Sequence, residues 1–397
     1  MTNARTVAPP PAAAARMQGV EGSAVREILA VTQQPHVLSL AGGLPAPELF
    51  DVAGLAAAYE RVLHGPGARR HLQYTVTEGE PELREALGAL TRSRGLDADP
   101  GDVLVTTGSQ QALDLVATAL LDPGDVVLVE RPSYLAALQV FALAGARVVS
   151  VPLDDDGLDP EQVRAELRRH GARLVYTVAN FQNPAGVTLA AERRRALARV
   201  AAEEGAWVLE DDPYGELRYR GDALAPVAVS EPGRVIYASS LSKILAPGLR
   251  LGWLVLPPGL RDAVTIVKQA RDLHTSTVDQ RAAYEYLASG ALRPHLERIR
   301  AAYGARLDAM LAGLPAALPA GSRWTRPEGG MFLWLTLPED RDAGALLPGA
   351  VREGVAYVPG APFFAEAPLP HTARVSFATL QPPQIAEALS RLARALA

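Results

Sequence analysis

Only two of the 39 Lys+Arg residues are lysines, Lys243 and Lys268. The first stands in "YASSLSKILAPGLRLGW", seven residues before Arg250 and directly after the strand-like run "RVIYASS". A lysine at the mouth of a buried sheet is poorly solvated and close to other positive groups. Both effects lower its pKa and free the neutral amine for Schiff-base chemistry. The alternative is a surface lysine, but a chain that otherwise uses arginine for its cations has no need of one there. Arg250 offers a planar fork that suits a phosphate. Replacement of Lys268 by alanine is expected to be nearly silent.

In an open parallel sheet, ligands sit beyond the carboxyl ends of the strands, so the residues after each strand carry the chemistry. "DVLVTT" leads into Gly108-Ser109-Gln110 at a helix start, which is either an anion site made of free N–H groups or a helix cap by Ser109. "DVVLVE" leads into "RPSY"; Tyr134 would stack on a flat ligand or simply pack. "RLVYTVA" leads into "NFQNPAG", a turn by composition in which Asn183 could also donate into a site. "AWVLE" leads into Asp211-Asp212-Pro213-Tyr214. One of the two acids should face the crevice and ionise against a cation, and Tyr214 adds a phenol. Together these positions supply an amine, an acid for a ring nitrogen, phenol and amide donors for a ring oxygen, an aromatic face and a phosphate cradle. Pyridoxal 5′-phosphate (PLP) needs that set.

The elements that must position these groups alternate. Strands are expected at Asp102–Thr107, Asp125–Glu130, Arg173–Ala179, Ala206–Asp211 and Arg234–Ser240, separated by helical runs. In "GSQQALDLVATALL", Ala112, Leu115, Val116, Ala119 and Leu120 recur at helical spacing. The pattern predicts an α/β protein with a mostly parallel sheet covered on both faces. From about Ala291 the texture shifts to a long helix followed by strand-like "GGMFLWLTL", "GVAYVPGAPFF" and "TARVSFATL" and a closing helix, a smaller α+β domain. The expected organisation is a disordered tail over 1–15, an N-terminal segment over 16–48 packing with the small domain, a large cofactor-binding domain over 49–290 and a small domain over 291–397.

Composition narrows the function classes. The 397 residues include no cysteine, which removes disulfides, thiolate catalysis and cysteine-ligated metal. A net charge of -5 favours neither nucleic acid nor an anionic membrane. No apolar run is long enough for a membrane span, and the first residues lack the apolar core of a signal peptide. A cytoplasmic location is therefore expected. The seven histidines show no metal-ligand spacing, so no metal is predicted. There is no Walker loop and no dinucleotide fingerprint.

The chain resembles the fold-type-I PLP-dependent enzymes, specifically the class I/II aminotransferases, from roughly residue 23 to its end. The resemblance rests on "GSQQALDL", "NPAG", "DDPY", "SLSK" with Arg250 seven residues on, and "RVSF". Within that family it is similar to the α-aminoadipate/kynurenine aminotransferase-like branch, through "LAGGLPAPELF", "LQYTVTEG", "GGMFLW" and "YVPGAPFF".

The resemblance implies the following roles. Lys243 would hold PLP through its ε-amine and move the substrate proton. Asp211 would keep the ring nitrogen protonated, Asn183 and Tyr214 would bond the ring hydroxyl, and Tyr134 would stack. The Ser109 and Gln110 amides, Ser240 and Arg250 would hold the phosphate. Tyr74 would reach that phosphate from a neighbouring subunit, which implies a homodimer with shared sites. Arg374 would clamp the substrate α-carboxylate, assisted by Asn183, and Gly43 would leave room beside the substrate. Arg26 would read a distal carboxylate, or be an ordinary solvated helix arginine. The implied reaction is ping-pong transfer of an amino group from an L-amino acid to a 2-oxo acid, 2-oxoglutarate being the expected acceptor. The same scaffold elsewhere runs racemisation, β-elimination or decarboxylation; a carboxylate held by Arg374 favours transamination. A non-catalytic regulator on this fold would require a DNA-binding unit, for which the start of the chain has no room.

Overall fold

The computed structural model describes residues 36–397 together with Ala14 and Met17; Arg26 lies outside the described residues. The strands are β1 (Leu38–Ser39), β2 (Val103–Thr106), β3 (Val126–Arg131), β4 (Arg147–Asp154), β5 (Gly157–Leu158), β6 (Leu174–Thr177), β7 (Trp207–Asp211), β8 (Val235–Ser240), β9 (Gly252–Val255), β10 (Arg323–Trp324), β11 (Phe332–Thr336), β12 (Val355–Ala356), β13 (Val358–Pro359) and β14 (Thr372–Ser376).

Eight of them form one sheet in the order β2-β9-β8-β7-β6-β3-β4-β5. The run β8-β7-β6-β3-β4 is parallel. β9 is antiparallel to both β2 and β8. The edge strand β2 and the inner strands β6 and β8 are buried along their whole length, because helices cover both faces and leave no place for a polar side of the strand. The five strands expected from the sequence all lie in this sheet. The patterning did not reveal β4, which alternates between buried and exposed residues as an outer strand does, or β9, which is only four residues long.

The helix Ser109–Leu120 follows β2 and buries Ala112, Leu113, Leu115, Val116 and Leu120, with Ala119 only partly covered. Each fully buried Leu or Val contributes about 1.5–3 kcal/mol. Those side chains therefore fix the helix against the sheet and, with it, the position of its first turn.

The C-terminal part carries a four-stranded antiparallel sheet in the order β10-β11-β14-β13, with the helices Leu292–Ala317 and Pro382–Leu396 packed together. β1 pairs in parallel with β12. The chain then continues past β14, where Ser376 N donates to Leu40 O at 2.7 Å. This route delivers Ala41–Gly43 to the crevice between the two sheets. No helix among the described residues is long and apolar enough to cross a membrane.

Candidate active site

The carboxyl ends of β2 and β8 meet at one residue. Gly252, the first of β9, pairs with both Thr106 and Ser240. A Cβ on Gly252 would stand 2.9 Å from Gly108 C and Ser109 N, so only glycine lets β9 back the turn so closely. Gly108 has φ 77°, and the helix that follows has no side-chain cap. Ser109 is thus the first helical residue rather than the cap, and the first N–H groups of the helix have no intrahelical partners. Arg250 adopts a left-handed conformation at φ 53°. Its Nη2 donates to Thr107 O at 3.4 Å, which lays the guanidinium beside Gly108. Ser240 Oγ accepts from Ser242 N at 3.0 Å.

Lys243 lies on the connection between β8 and β9. Its Nζ donates to Gly43 O at 2.8 Å. Burial, then the charges of Arg374 and Arg250, bring its pKa down to about 8, against a smaller opposing pull from Asp211. Asp211 ends β7, buried. Its Oδ2 accepts from Tyr176 OH at 3.0 Å, while Oδ1 has no partner. Burial raises its pKa to about 7, with Asp212 adding to the rise and the Tyr176 bond and Lys243 opposing it. Asp212 faces away, towards Asn180 Nδ2 at 2.8 Å, Tyr237 OH at 3.1 Å and Arg94 Nη1 at 3.2 Å. Of the two adjacent acids, Asp211 is therefore the one in the crevice.

Arg374, on β14, is buried. Nη1 donates to Asn183 Oδ1 and Nη2 to Ala41 O, each at 2.9 Å, and Nε has no partner. The guanidinium carbon lies 4.3 Å from the Phe332 ring centroid and 5.1 Å from that of Phe363. Among the described residues no carboxylate stands within ion-pair distance of it, and burial lowers its pKa to about 10. Asn183 Nδ2 reaches Tyr214 OH at 3.4 Å. Burial pushes the Tyr134 phenol up to about 12 and the Tyr214 phenol higher still, so both remain neutral donors.

These groups line one cavity of about 230 Å³, a size for a small molecule rather than a polymer. Gly43, Ser109, Tyr134, Asn183, Asp211, Tyr214, Ser240, Lys243 and Arg374 all border it. Gln110 is exposed on the first helical turn. Arg250 touches the site through Gly108 and Thr107. Tyr74 is 77% exposed and outside the cavity.

Sequence reasoning missed Tyr176, whose signal was a phenol inside an otherwise apolar buried strand. It also missed the apolar wall of Leu44, Phe332 and Phe363. The setting of Lys268 argues against the expected silent substitution: this lysine is fully buried and its ammonium donates to Gln111, Asp272 and Thr275, so its loss would remove three hydrogen bonds and the cation that balances Asp272.

The family model described as aminotransferase class I and II matches residues 54–392. The chain belongs to this family. The aromatic-amino-acid aminotransferase 1 of Thermococcus litoralis is 43% identical over 385 residues, covering 95% of this chain and 92% of that protein. The 2-aminoadipate transaminase of Thermus thermophilus is 42% identical, covering 95% and 94%. The structure of α-aminoadipate aminotransferase from Thermus thermophilus, complexed with N-(5′-phosphopyridoxyl)-L-leucine, matches with a TM-score of 0.87 at 41% identity, covering 95% of each chain. The protein is thus a PLP-dependent aminotransferase of fold type I. The crevice fits that cofactor. It holds an unpaired carboxylate oxygen on Asp211 for a ring N–H, an uncapped helix start for a phosphate, and a buried amine whose pKa lies near neutrality.

Proposed function

We propose that this aminotransferase takes its amino group from L-amino acids with apolar or aromatic side chains and passes it to 2-oxoglutarate by a ping-pong exchange. One observation carries the proposal. The cavity presents a single buried guanidinium without an acidic partner, Arg374, and walls otherwise built from Leu44, Leu135, Phe332 and Phe363. A buried guanidinium in that condition demands one carboxylate, and apolar walls reject a second charge. Two of the relatives are named for aromatic amino acids and for 2-aminoadipate, so both an apolar and a dicarboxylic partner are in keeping with the family.

When bound, PLP supplies the conjugated ring that spreads the charge developing at the substrate Cα. The chain supplies the rest. Lys243 Nζ would provide the covalent anchor for the cofactor and, as a free amine, would take the proton from the substrate Cα; a pKa lowered to about 8 suits that general base. Asp211 Oδ1, which has no partner, would receive the ring N–H, and Asn183 and Tyr214 would donate to the ring oxygen. Tyr134 would supply an aromatic face to the ring. The Ser109 and Gln110 amides, Ser240 and Arg250 would hold the phosphate, joined by Tyr74 from a second subunit. Arg374 and Asn183 hold the α-carboxylate, so that it is retained rather than expelled. Gly43 keeps the substrate side open, since a Cβ there would stand 3.2 Å from the Phe332 ring.

A dicarboxylic acceptor needs a second cation, and Arg26 is the sequence's candidate for it. A donor screen with 2-oxoglutarate as acceptor tests the proposal. Phenylalanine, tyrosine, leucine and methionine should outrun aspartate. Arg26→Ala should raise the KM for 2-oxoglutarate and leave that for 4-methyl-2-oxopentanoate unchanged. Strong preference for aspartate as donor would overturn it. Borohydride reduction of the holoprotein should tag the peptide containing Lys243 and leave that containing Lys268 bare.

A further inference from the structure

The second lysine of the chain sits directly behind the turn assigned above to the phosphate. Lys268 lies in the last turns of the helix Arg261–Asp272. Its Nζ donates to Asp272 Oδ1 at 2.7 Å, Gln111 Oε1 at 2.9 Å and Thr275 Oγ1 at 3.0 Å. An ammonium has three N–H donors, so none remains for a ligand, and Asp272 balances the charge. This group can act on a neighbouring site through geometry but not by contact.

The acceptors lead to the turn itself. Gln111 Oε1 also accepts from Thr107 N at 2.8 Å, and Gln111 Nε2 donates to Asp272 Oδ2 at 2.7 Å. Thr107 Oγ1 donates to Asp272 Oδ2 at 3.0 Å and lies 3.2 Å from Thr275 Oγ1. Thr107 is therefore gripped through both its backbone N–H and its hydroxyl. Its carbonyl meets Arg250 on the other side, and Gly108 and Ser109 follow.

The path from Asp272 to Thr275 is strained. Leu273 has φ 66° and ψ −58°, and His274 N donates to Asp272 O at 2.7 Å, a tight γ-turn rare for a residue with a side chain. Such a conformation persists only where the surroundings fix it, and here it aims both Asp272 and Thr275 at Lys268 and Thr107.

We propose that Lys268, through Asp272, Gln111 and Thr275, is a positioning residue that sets the Thr107–Ser109 turn for the cofactor phosphate. The proposal rests on the assignment of that turn to the phosphate. It also accounts for the lysine in an arginine-using chain: three acceptors around one point suit a compact ammonium with three rotatable donors, and a planar fork would not fit them.

The test compares the full-length protein, freed of PLP, for its binding of PLP and of pyridoxal, which lacks the phosphate. Lys268→Met keeps the volume and removes the donors; Thr107→Val removes one hydroxyl at the turn and decides the matter should Lys268→Met not fold. Both variants should weaken PLP binding by about tenfold while pyridoxal binding stays within about twofold of wild type. They should also weaken competition by inorganic phosphate. Arg250→Met serves as the control for the phosphate site. If Arg250→Met weakens PLP selectively but neither Lys268→Met nor Thr107→Val does, the positioning role is wrong and the phosphate site stands. If Arg250→Met affects PLP and pyridoxal alike, the phosphate assignment has failed and this inference falls with it. Equal weakening of both ligands by Lys268→Met and Thr107→Val would likewise overturn it, as the mark of general destabilisation.

Discussion

A single carboxylate shows how a site prepared for a ligand is held at the expense of the ligand-free chain. Asp211 is buried with one oxygen unpaired, and burial raises its pKa to about 7. The unfolded chain releases that proton near the ordinary carboxylate pKa, at about 4. Between those values the folded form binds more protons than the unfolded one, so the stability of the ligand-free protein falls as pH rises through this window. Buried Glu130 and Glu210, also raised to about 7, add to the same slope. Asp211→Asn removes part of it. At pH 7.5 the ligand-free variant should melt about 2–4 °C above wild type by calorimetry, while transamination collapses. A lower melting point would mean that the carboxylate is paired after all. Lys243 gives the opposite sign. Its lowered pKa, about 8, means that the folded chain sheds its proton first, and acetylation of the ligand-free protein at this residue should follow an apparent pKa of about 8 when mapped by mass spectrometry. These residues were legible in the sequence because their types stand directly after buried strands. Tyr176 was not, because its role comes from the neighbouring strand, in register with Leu209 rather than with Asp211.

At the level of elements, the site depends on how closely β9 lies against the helix start. Gly252→Ala would drive a methyl group into backbone atoms of Gly108 and Ser109, which cannot swing aside. Overpacking of this kind costs about 1–3 kcal/mol, and urea denaturation should show that loss together with weakened PLP binding. Unchanged binding would mean that the turn relaxes freely. The strands β2, β3, β6, β7 and β8 announced themselves as short apolar β-branched runs. β9 did not, for it is only four residues long and begins with Gly252, and its antiparallel pairing with both β2 and β8 is what makes it a strand. Lys268 was misread for a related reason. Its burial is produced by Gln111 and Thr275, which arrive from outside its own helix, and helical periodicity cannot report that.

At the level of the whole molecule, Tyr74 is 77% exposed, edge-on to His274 at 5.7 Å and flanked by exposed Leu72 and Val76. The proposed role of this phenol at a phosphate, together with its place outside its own cavity, calls for a second copy related by a twofold axis. Sedimentation should therefore give a dimer. Inactive Lys243→Ala and impaired Tyr74→Ala chains, mixed and allowed to exchange, should recover about a quarter of wild-type activity, since half of the sites in each mixed dimer are intact. No recovery, with exchange verified by mass, would mean that each subunit works alone. The scarcity of lysine has a practical corollary at this scale. With every hydrogen of the Lys268 ammonium engaged in the interior, the only side-chain amine left to meet a reagent is the one the reaction uses. Coupling the protein to a resin, dye or cross-linker through its lysines would therefore titrate the active centre and leave the outer surface untouched.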